Sequence, residues 1–157
     1  MTKKAFSIVV ICSANVCRSP MAHAIFAAEV ERRGLPVTVH SGGTWWELEG
    51  HAVADEALRT CERHGTPLRK FSATHYAAAD LEGAARVFVM ERRHMEVLLG
   101  ETSLASERLS VLGVFDPEYR GAEIDDPMGQ DAAAFDACYG RLRDCIRHYL
   151  DTTNDFS

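Results

Sequence analysis

The first strong pattern along the chain is a continuous apolar run, Phe6 to Ile11, with a β-branched centre of Ile8, Val9, Val10 and Ile11. A short run of that kind, followed by polar residues, predicts a buried strand. After a loop, Met21, Ala24, Ile25 and Ala28 recur at helical spacing, with Ser19 and Pro20 as N-cap and first helical position and Gly34 as the stop. Pro36 to His40 predicts a second strand, and the turn-rich Ser41-Gly42-Gly43-Thr44 follows it. Ala52 to His64 reads as a second helix closed by Gly65 and Pro67. Arg86 to Met90 predicts a third strand leading into a helix over Arg92 to Leu99, and Leu109 to Leu112 a weaker fourth strand. Gly113 to Gln130 carries Pro117, Gly121, Pro127 and Gly129 and predicts a long surface loop. From Asp131 onward, Phe135, Cys138, Leu142, Cys145, Ile146 and Tyr149 trace one face of a last helix, which leaves Asp151 to Ser157 as a frayed tail. Strands separated by helices imply parallel pairing, hence an α/β three-layer sandwich, with residues 1–150 as one domain.

Composition narrows the function classes. Seventeen basic against 23 acidic residues give a net charge of −6, which disfavours a general binder of nucleic acid or anionic membrane. No apolar run reaches the length of a membrane span, so no membrane insertion is expected. Lys3 and Lys4 before the apolar run resemble a short leader, but the β-branched centre and the polar stretch from Cys12 to Ser19 favour a strand feeding a loop. Five cysteines are too few and too odd in number for a disulfide scaffold, so a reducing, cytoplasmic setting is expected.

The chemistry concentrates where the first strand meets the first helix. Cys12 ends the strand and Arg18 lies six residues on, beside Ser19 and Pro20. Curling Ser13, Ala14, Asn15, Val16 and Cys17 into a ring aims successive backbone N–H groups at one centre, a nest for a tetrahedral dianion. Arg18 adds a planar clamp for the same oxygens. A thiol at the base of that ring faces a helix N-terminus and a guanidinium, and both favour the thiolate. A Walker-type loop is excluded, since no Gly-Lys-Ser/Thr is present. Cys12 and Cys17 lack further ligands at metal spacing, and neither a metal nor a cofactor is expected.

The segment Cys12-Ser13-Ala14-Asn15-Val16-Cys17-Arg18-Ser19-Pro20 resembles the C-x-G-N-x-C-R-S-P signature of the low-molecular-weight protein tyrosine phosphatases. The resemblance extends to Ser41-Gly42-Gly43-Thr44, His64-Gly65, Met90-Glu91 and a late Asp-Pro. It implies a four-stranded parallel sheet flanked by helices and a phosphomonoesterase acting on phosphorylated proteins. Cys12 would be the nucleophile, giving a cysteinyl phosphate, with Arg18 and the loop N–H groups on the equatorial oxygens. Ser19 would donate to the sulfur, Asn15 would brace the loop through Ser41, and Cys17 would form a protective disulfide with Cys12. The general acid would be Asp126 of Asp126-Pro127, with Asp116 of Asp116-Pro117, near Tyr119, as the rival.

The chain also departs from that pattern. Ala14 stands where the family carries Gly, a concern if the position needs a positive φ. Met128 and Gly129 follow the Asp126-Pro127 pair in place of aromatic residues, so Trp45, Trp46 and Met128 become the candidate substrate wall. Lys70 stands near the place of a family histidine that supports the loop. Protein arginine phosphatases, close relatives, carry Thr where this chain has Val16, yet the non-aromatic stretch after Asp126 leans toward them, so phosphoarginine stays an alternative. Thiol-linked arsenate reduction would need resolving cysteines, but Cys138 and Cys145 lie on the apolar helix face and Cys61 sits mid-helix. A phosphate-binding module without turnover is a further alternative.

Overall fold

The computed structural model describes residues 6–69 and 71–156. Four strands, β1 (Phe6–Cys12), β2 (Val37–Gly43), β3 (Arg86–Val89) and β4 (Leu109–Val111), form one sheet in the order β2-β1-β3-β4. All three pairings are parallel, with Cys12 level with Gly43 and Ile11 level with Val89. The α/β sandwich read from the sequence is the observed fold. Its helices are α1 (Arg18–Arg32), α2 (Asp55–Arg63), α3 (Arg92–Glu101) and α4 (Ala132–Thr152).

The alternation of side chains along β1 and β3 builds two cores. Ile8, Val10, Phe88 and Met90 face one side, where Met21, Ile25 and Phe26 of α1 and Phe135, Leu142 and Ile146 of α4 cover them. Val9, Ile11, Val87 and Val89 face the other, against Leu98 of α3 and Tyr76, Leu81 and Leu104. Residues 8–11 of β1 and 87–89 of β3 are therefore apolar on both faces, as a sheet covered on two sides requires.

Element ends differ from expectation where function intervenes. Helix α1 starts at Arg18 rather than at Pro20, with Cys17 in place of Ser19 as its N-cap and no side-chain cap. Pro20 fits the first turn, where a missing N–H costs nothing. The helix stops at Gly34, whose φ of 64° lets the Leu35 N–H reach the Val30 carbonyl at 2.9 Å. Strand β2 runs to Gly43, three residues beyond His40, because the turn glycines continue the ladder beside β1.

The expected frayed tail is docked instead. Arg86 grips Asp155 with two bonds of 2.9 and 3.0 Å, the Tyr149 hydroxyl donates to the same carboxylate at 2.5 Å, and Phe156 packs edge-on against Phe6 at 4.9 Å. A partly exposed arginine at the start of β3 and an aromatic anchor give the tail partners that its polar sequence does not reveal. Among the described residues no helix is long and apolar enough to cross a membrane.

Candidate active site

The loop from Cys12 to Arg18 owes its shape to where its carbonyls go. The Cys12, Ser13, Val16 and Cys17 carbonyls accept from the N–H groups of Thr44, Trp45, Ala54 and Met21 at 2.9 to 3.1 Å. With these carbonyls tied to neighbouring segments, the Asn15 N–H donates to Cys12 Sγ at 3.3 Å. Gly43 makes the seating possible: a Cβ there would come within 2.6 Å of the Ser13 carbonyl oxygen.

The left-handed residue of the loop is Asn15, at φ 58°, and not Ala14. Asparagine tolerates that region, so the alanine is no obstacle. The Asn15 amide donates to Ser19 Oγ at 2.7 Å and accepts from the Thr74 N–H at 3.0 Å. The expected brace through Ser41 is corrected here: Ser41 lies level with Val10, two residues down the ladder from Gly43, and the Asn15 amide is spent on Ser19 and Thr74. Lys70, the expected stand-in for a supporting histidine, lies outside the described residues.

Ser19, freed from capping, sits 3.0 Å from Cys12 Sγ. Its oxygen already accepts from Asn15, so its proton goes to the sulfur in preference to the Gly42 carbonyl, which lies at 3.4 Å. The sulfur is thus faced by a hydroxyl and a backbone N–H. Arg18 is 1% exposed, and its Nη1 is locked by Glu91 Oε2 at 2.7 Å and the Ile124 carbonyl at 2.8 Å. Its Nη2 is buried with no hydrogen-bond partner among the described residues, 3.8 Å from Asp126 Oδ2. Burial alone would loosen the Arg18 proton, but the surrounding Cys12, Glu91 and Asp126 outweigh it and hold the guanidinium charged. A fixed cation with one donor unspent, beside a thiol faced by a hydroxyl and a backbone N–H, can receive an oxyanion.

The chain matches the model of the low molecular weight phosphotyrosine protein phosphatase family over residues 7–155. The chain belongs to this family. It is 31% identical over 143 residues to the low molecular weight protein-tyrosine-phosphatase of Streptomyces coelicolor, covering 85% of this chain and 84% of that protein. It is 26% identical over 145 residues to the protein-arginine-phosphatase of Bacillus subtilis, covering 89% and 91%. The crystal structure of the low molecular weight protein tyrosine phosphatase from T. tengcongensis superposes with a TM-score of 0.87 at 23% identity, over 94% of this chain and 99% of that one, which shows a common fold.

Within this phosphatase fold the two candidate acids separate cleanly. Asp126 reaches the site, partly exposed, with Oδ1 accepting from the Met128 N–H at 3.0 Å and Oδ2 toward Arg18. Asp116 is buried elsewhere: it accepts from the Glu118 and Tyr119 N–H groups and pairs with Arg141 at 2.9 Å. Burial would raise its pKa, yet those bonds prevail and keep it lower than usual, so it is held as a carboxylate. Trp45 and Trp46 are both exposed, at 47% and 59%, and Trp46 stacks on His75 with ring centroids 3.4 Å apart. Met128 meets Cys17 through a 3.4 Å sulfur–sulfur contact, and Val16 is buried in the loop.

All five cysteines are buried and unpaired. Burial pushes Cys61 up to about 11 and Cys17, Cys138 and Cys145 up to about 12, so all four are thiols at neutral pH. The sequence reading missed Arg93 and His94, and saw Glu91 only as part of a motif. Glu91 follows β3, the neighbour of β1, and a carboxylate at that strand end is the signal that could have revealed the Arg18 partner. Among the described residues no group of three or more metal-binding side chains converges.

Proposed function

We propose that the protein is a cysteine-dependent phosphomonoesterase that dephosphorylates phosphotyrosine in proteins. The observation that carries the reading is the buried Arg18 guanidinium, locked through Nη1 with Nη2 unspent, beside a Cys12 sulfur faced by Ser19 and the Asn15 N–H. In the first step the Cys12 thiolate attacks phosphorus in line with the ester oxygen. The S–P bond forms, the P–O bond breaks, and the departing oxygen takes its electron pair and the Asp126 proton. Arg18 Nη2 and the loop N–H groups of Ser13 to Arg18 hold the equatorial oxygens. In the second step a water gives its proton to Asp126 and attacks phosphorus. The S–P bond breaks, and the leaving thiolate is received by the Ser19 hydroxyl and the Asn15 N–H.

Substrate selection rests on the rim. Trp45 and Trp46 offer exposed aromatic faces, Met128 adds an apolar wall from the Asp126 side, and Val16 offers no hydroxyl to a guanidino group. Cys17 is placed in this reading as the resolving thiol that closes a disulfide after peroxide oxidises Cys12 to the sulfenic acid, water being lost. The unpaired cysteines suit a reducing cytoplasm. Two observations favour protein arginine phosphatase as the second reading: the similarity to the Bacillus subtilis protein-arginine-phosphatase, and the absence of an aromatic residue in Asp126-Pro127-Met128-Gly129.

The test is a panel of phosphotyrosine, phosphoarginine and phosphoserine peptides given to the purified enzyme and to Val16→Thr. The phosphotyrosine peptide is the preferred substrate, and Val16→Thr shifts preference toward phosphoarginine. Preference for phosphoarginine in the unaltered enzyme overturns the tyrosine assignment, and turnover surviving Cys12→Ser overturns the mechanism.

A further inference from the structure

The hydrogen bonds around Ser13 leave one proton unaccounted for. His94 is buried in the first turn of α3, and its Nδ1 accepts from the Glu91 backbone N–H at 3.1 Å. A backbone N–H only donates, so Nδ1 is bare and the ring proton is on Nε2. Burial, with Arg18 nearby, pushes the His94 pKa down to about 4, which keeps the ring in this single tautomer at neutral pH. Nε2–H therefore donates to Ser13 Oγ, 2.9 Å away. Arg93 Nη2 donates to the same oxygen at 3.1 Å.

Two donors fill both lone pairs of Ser13 Oγ, so the hydroxyl proton is a donor without a partner among the described residues. Its location is informative. Ser13 follows Cys12 directly and is as deeply buried, at 3% exposure each. Arg93 Nη2 also holds Glu91 Oε2 at 2.8 Å, the oxygen that fixes Arg18 Nη1. Ser13 Oγ and the Arg18 clamp thus hang from one carboxylate oxygen on the same side of the loop.

We infer that the Ser13 side chain is an additional oxyanion donor of the phosphate cup, its O–H turned toward the phosphoryl group by the Nε2–H of His94 and by Arg93. The inference rests on the phosphatase reading above, and it assigns Ser13 a role that its backbone N–H does not already fill. Ser13 touches substrate in this scheme. His94 does not; it is a positioning residue that acts through Ser13.

The experiment measures competitive inhibition by inorganic phosphate and kcat/KM for p-nitrophenyl phosphate. Ser13→Ala weakens both by roughly ten- to a hundredfold, the worth of a hydrogen bond to a charged group. The two amide replacements of His94 separate positioning from mere support. His94→Gln places its amide nitrogen where Nε2 was and keeps the bond to Ser13; His94→Asn places its amide oxygen where Nδ1 was and keeps only the bond from Glu91. His94→Gln retains phosphate binding within about threefold, whereas His94→Asn falls to the level of Ser13→Ala. The Ser13→Ala/His94→Asn double variant is no weaker than Ser13→Ala alone.

Phosphate inhibition of Ser13→Ala within about twofold of the unaltered enzyme overturns the inference, as does His94→Asn binding phosphate better than His94→Gln. Should Ser13→Ala fold poorly, the His94 pair decides alone. Cys12→Ser, assayed in parallel, tests the parent reading: with turnover abolished there and Ser13→Ala unimpaired, only the Ser13 assignment fails.

Discussion

Glu91 holds the guanidinium that the proposed mechanism assigns to oxyanion binding, and replacing it with glutamine keeps the shape while removing the charge. Its Oε2 lies 2.7 Å from Arg18 Nη1, with side-chain exposures of 23% for Glu91 and 1% for Arg18. Breaking one side of a buried ion pair costs about 3–5 kcal/mol. Arg18 keeps the Ile124 carbonyl at 2.8 Å and Asp126 at 3.8 Å, which brings the expected loss down to roughly 2–3 kcal/mol. At roughly 2–4 °C per kcal/mol for a chain of this length, Glu91→Gln melts about 5–10 °C lower at pH 7.

Two further readings make that number specific to the Arg18 charge. A phosphate dianion bound to Arg18 supplies the missing negative charge, so saturating inorganic phosphate recovers at least about half of the deficit. Burial would raise the Glu91 pKa, but the bonds from Arg18 and Arg93 outweigh it and leave the folded value below the ordinary one. The stability that Glu91 contributes is therefore present above the ordinary glutamate pKa and lost as pH falls through the lower folded value, and the gap between the two melting curves closes on acidification. The assay is differential scanning fluorimetry across pH with and without phosphate. Equal melting of the two proteins at pH 7, or a deficit that phosphate leaves unchanged, refutes the reasoning.

Asp126→Asn lowers the rate on phenyl phosphate by about 10²–10⁴, far more than on p-nitrophenyl phosphate, whose oxygen leaves without a proton. Equal losses on both substrates, measured as kcat/KM so that only the leaving-group step is read, contradict its role as acid. Asp155 is held at a pKa of about 2 by Arg86 and by Tyr149, against an unfolded value near 3.9, so it contributes about 2 kcal/mol above pH 4 that is lost as pH falls toward 2. Asp155→Asn accordingly destabilises at pH 7 and converges on the unaltered protein at low pH in urea unfolding. Iodoacetamide at neutral pH modifies Cys12 rapidly, with protection by phosphate, and leaves Cys61, Cys138 and Cys145 untouched until the protein unfolds; labelling resolved by peptide mass spectrometry checks this.

The β-branched run of β1, the helical spacing after it and the polar residues between them were enough to place Cys12 and Arg18 at one strand-to-helix junction. That placement depends on local sequence alone. What could not be read locally was set by partners distant in the chain. The choice of Asn15 over Ala14 for the positive φ depends on Thr74 and Ser19 reaching its amide. Ser19 reads as an N-cap from its neighbours, and only the approach of Cys12 explains why the helix begins without using it. The network of Glu91, Arg93 and His94 was hidden because its residues are ordinary at a helix start, and only the pairing of β3 with β1 carries them to the loop. The tail misled for the same reason: Asp155 is a solvated residue by sequence and a partly buried ion-pair partner once Arg86 stands beside it.

Acid quenching during steady-state turnover of p-nitrophenyl phosphate, followed by peptide mass spectrometry, tests the central claim most directly. The account predicts a phosphoryl group on the sulfur of the Cys12 peptide, absent from Cys12→Ser and stabilised against hydrolysis in Asp126→Asn. Sustained turnover with no phosphoryl group on Cys12, or with the group on another residue, contradicts it.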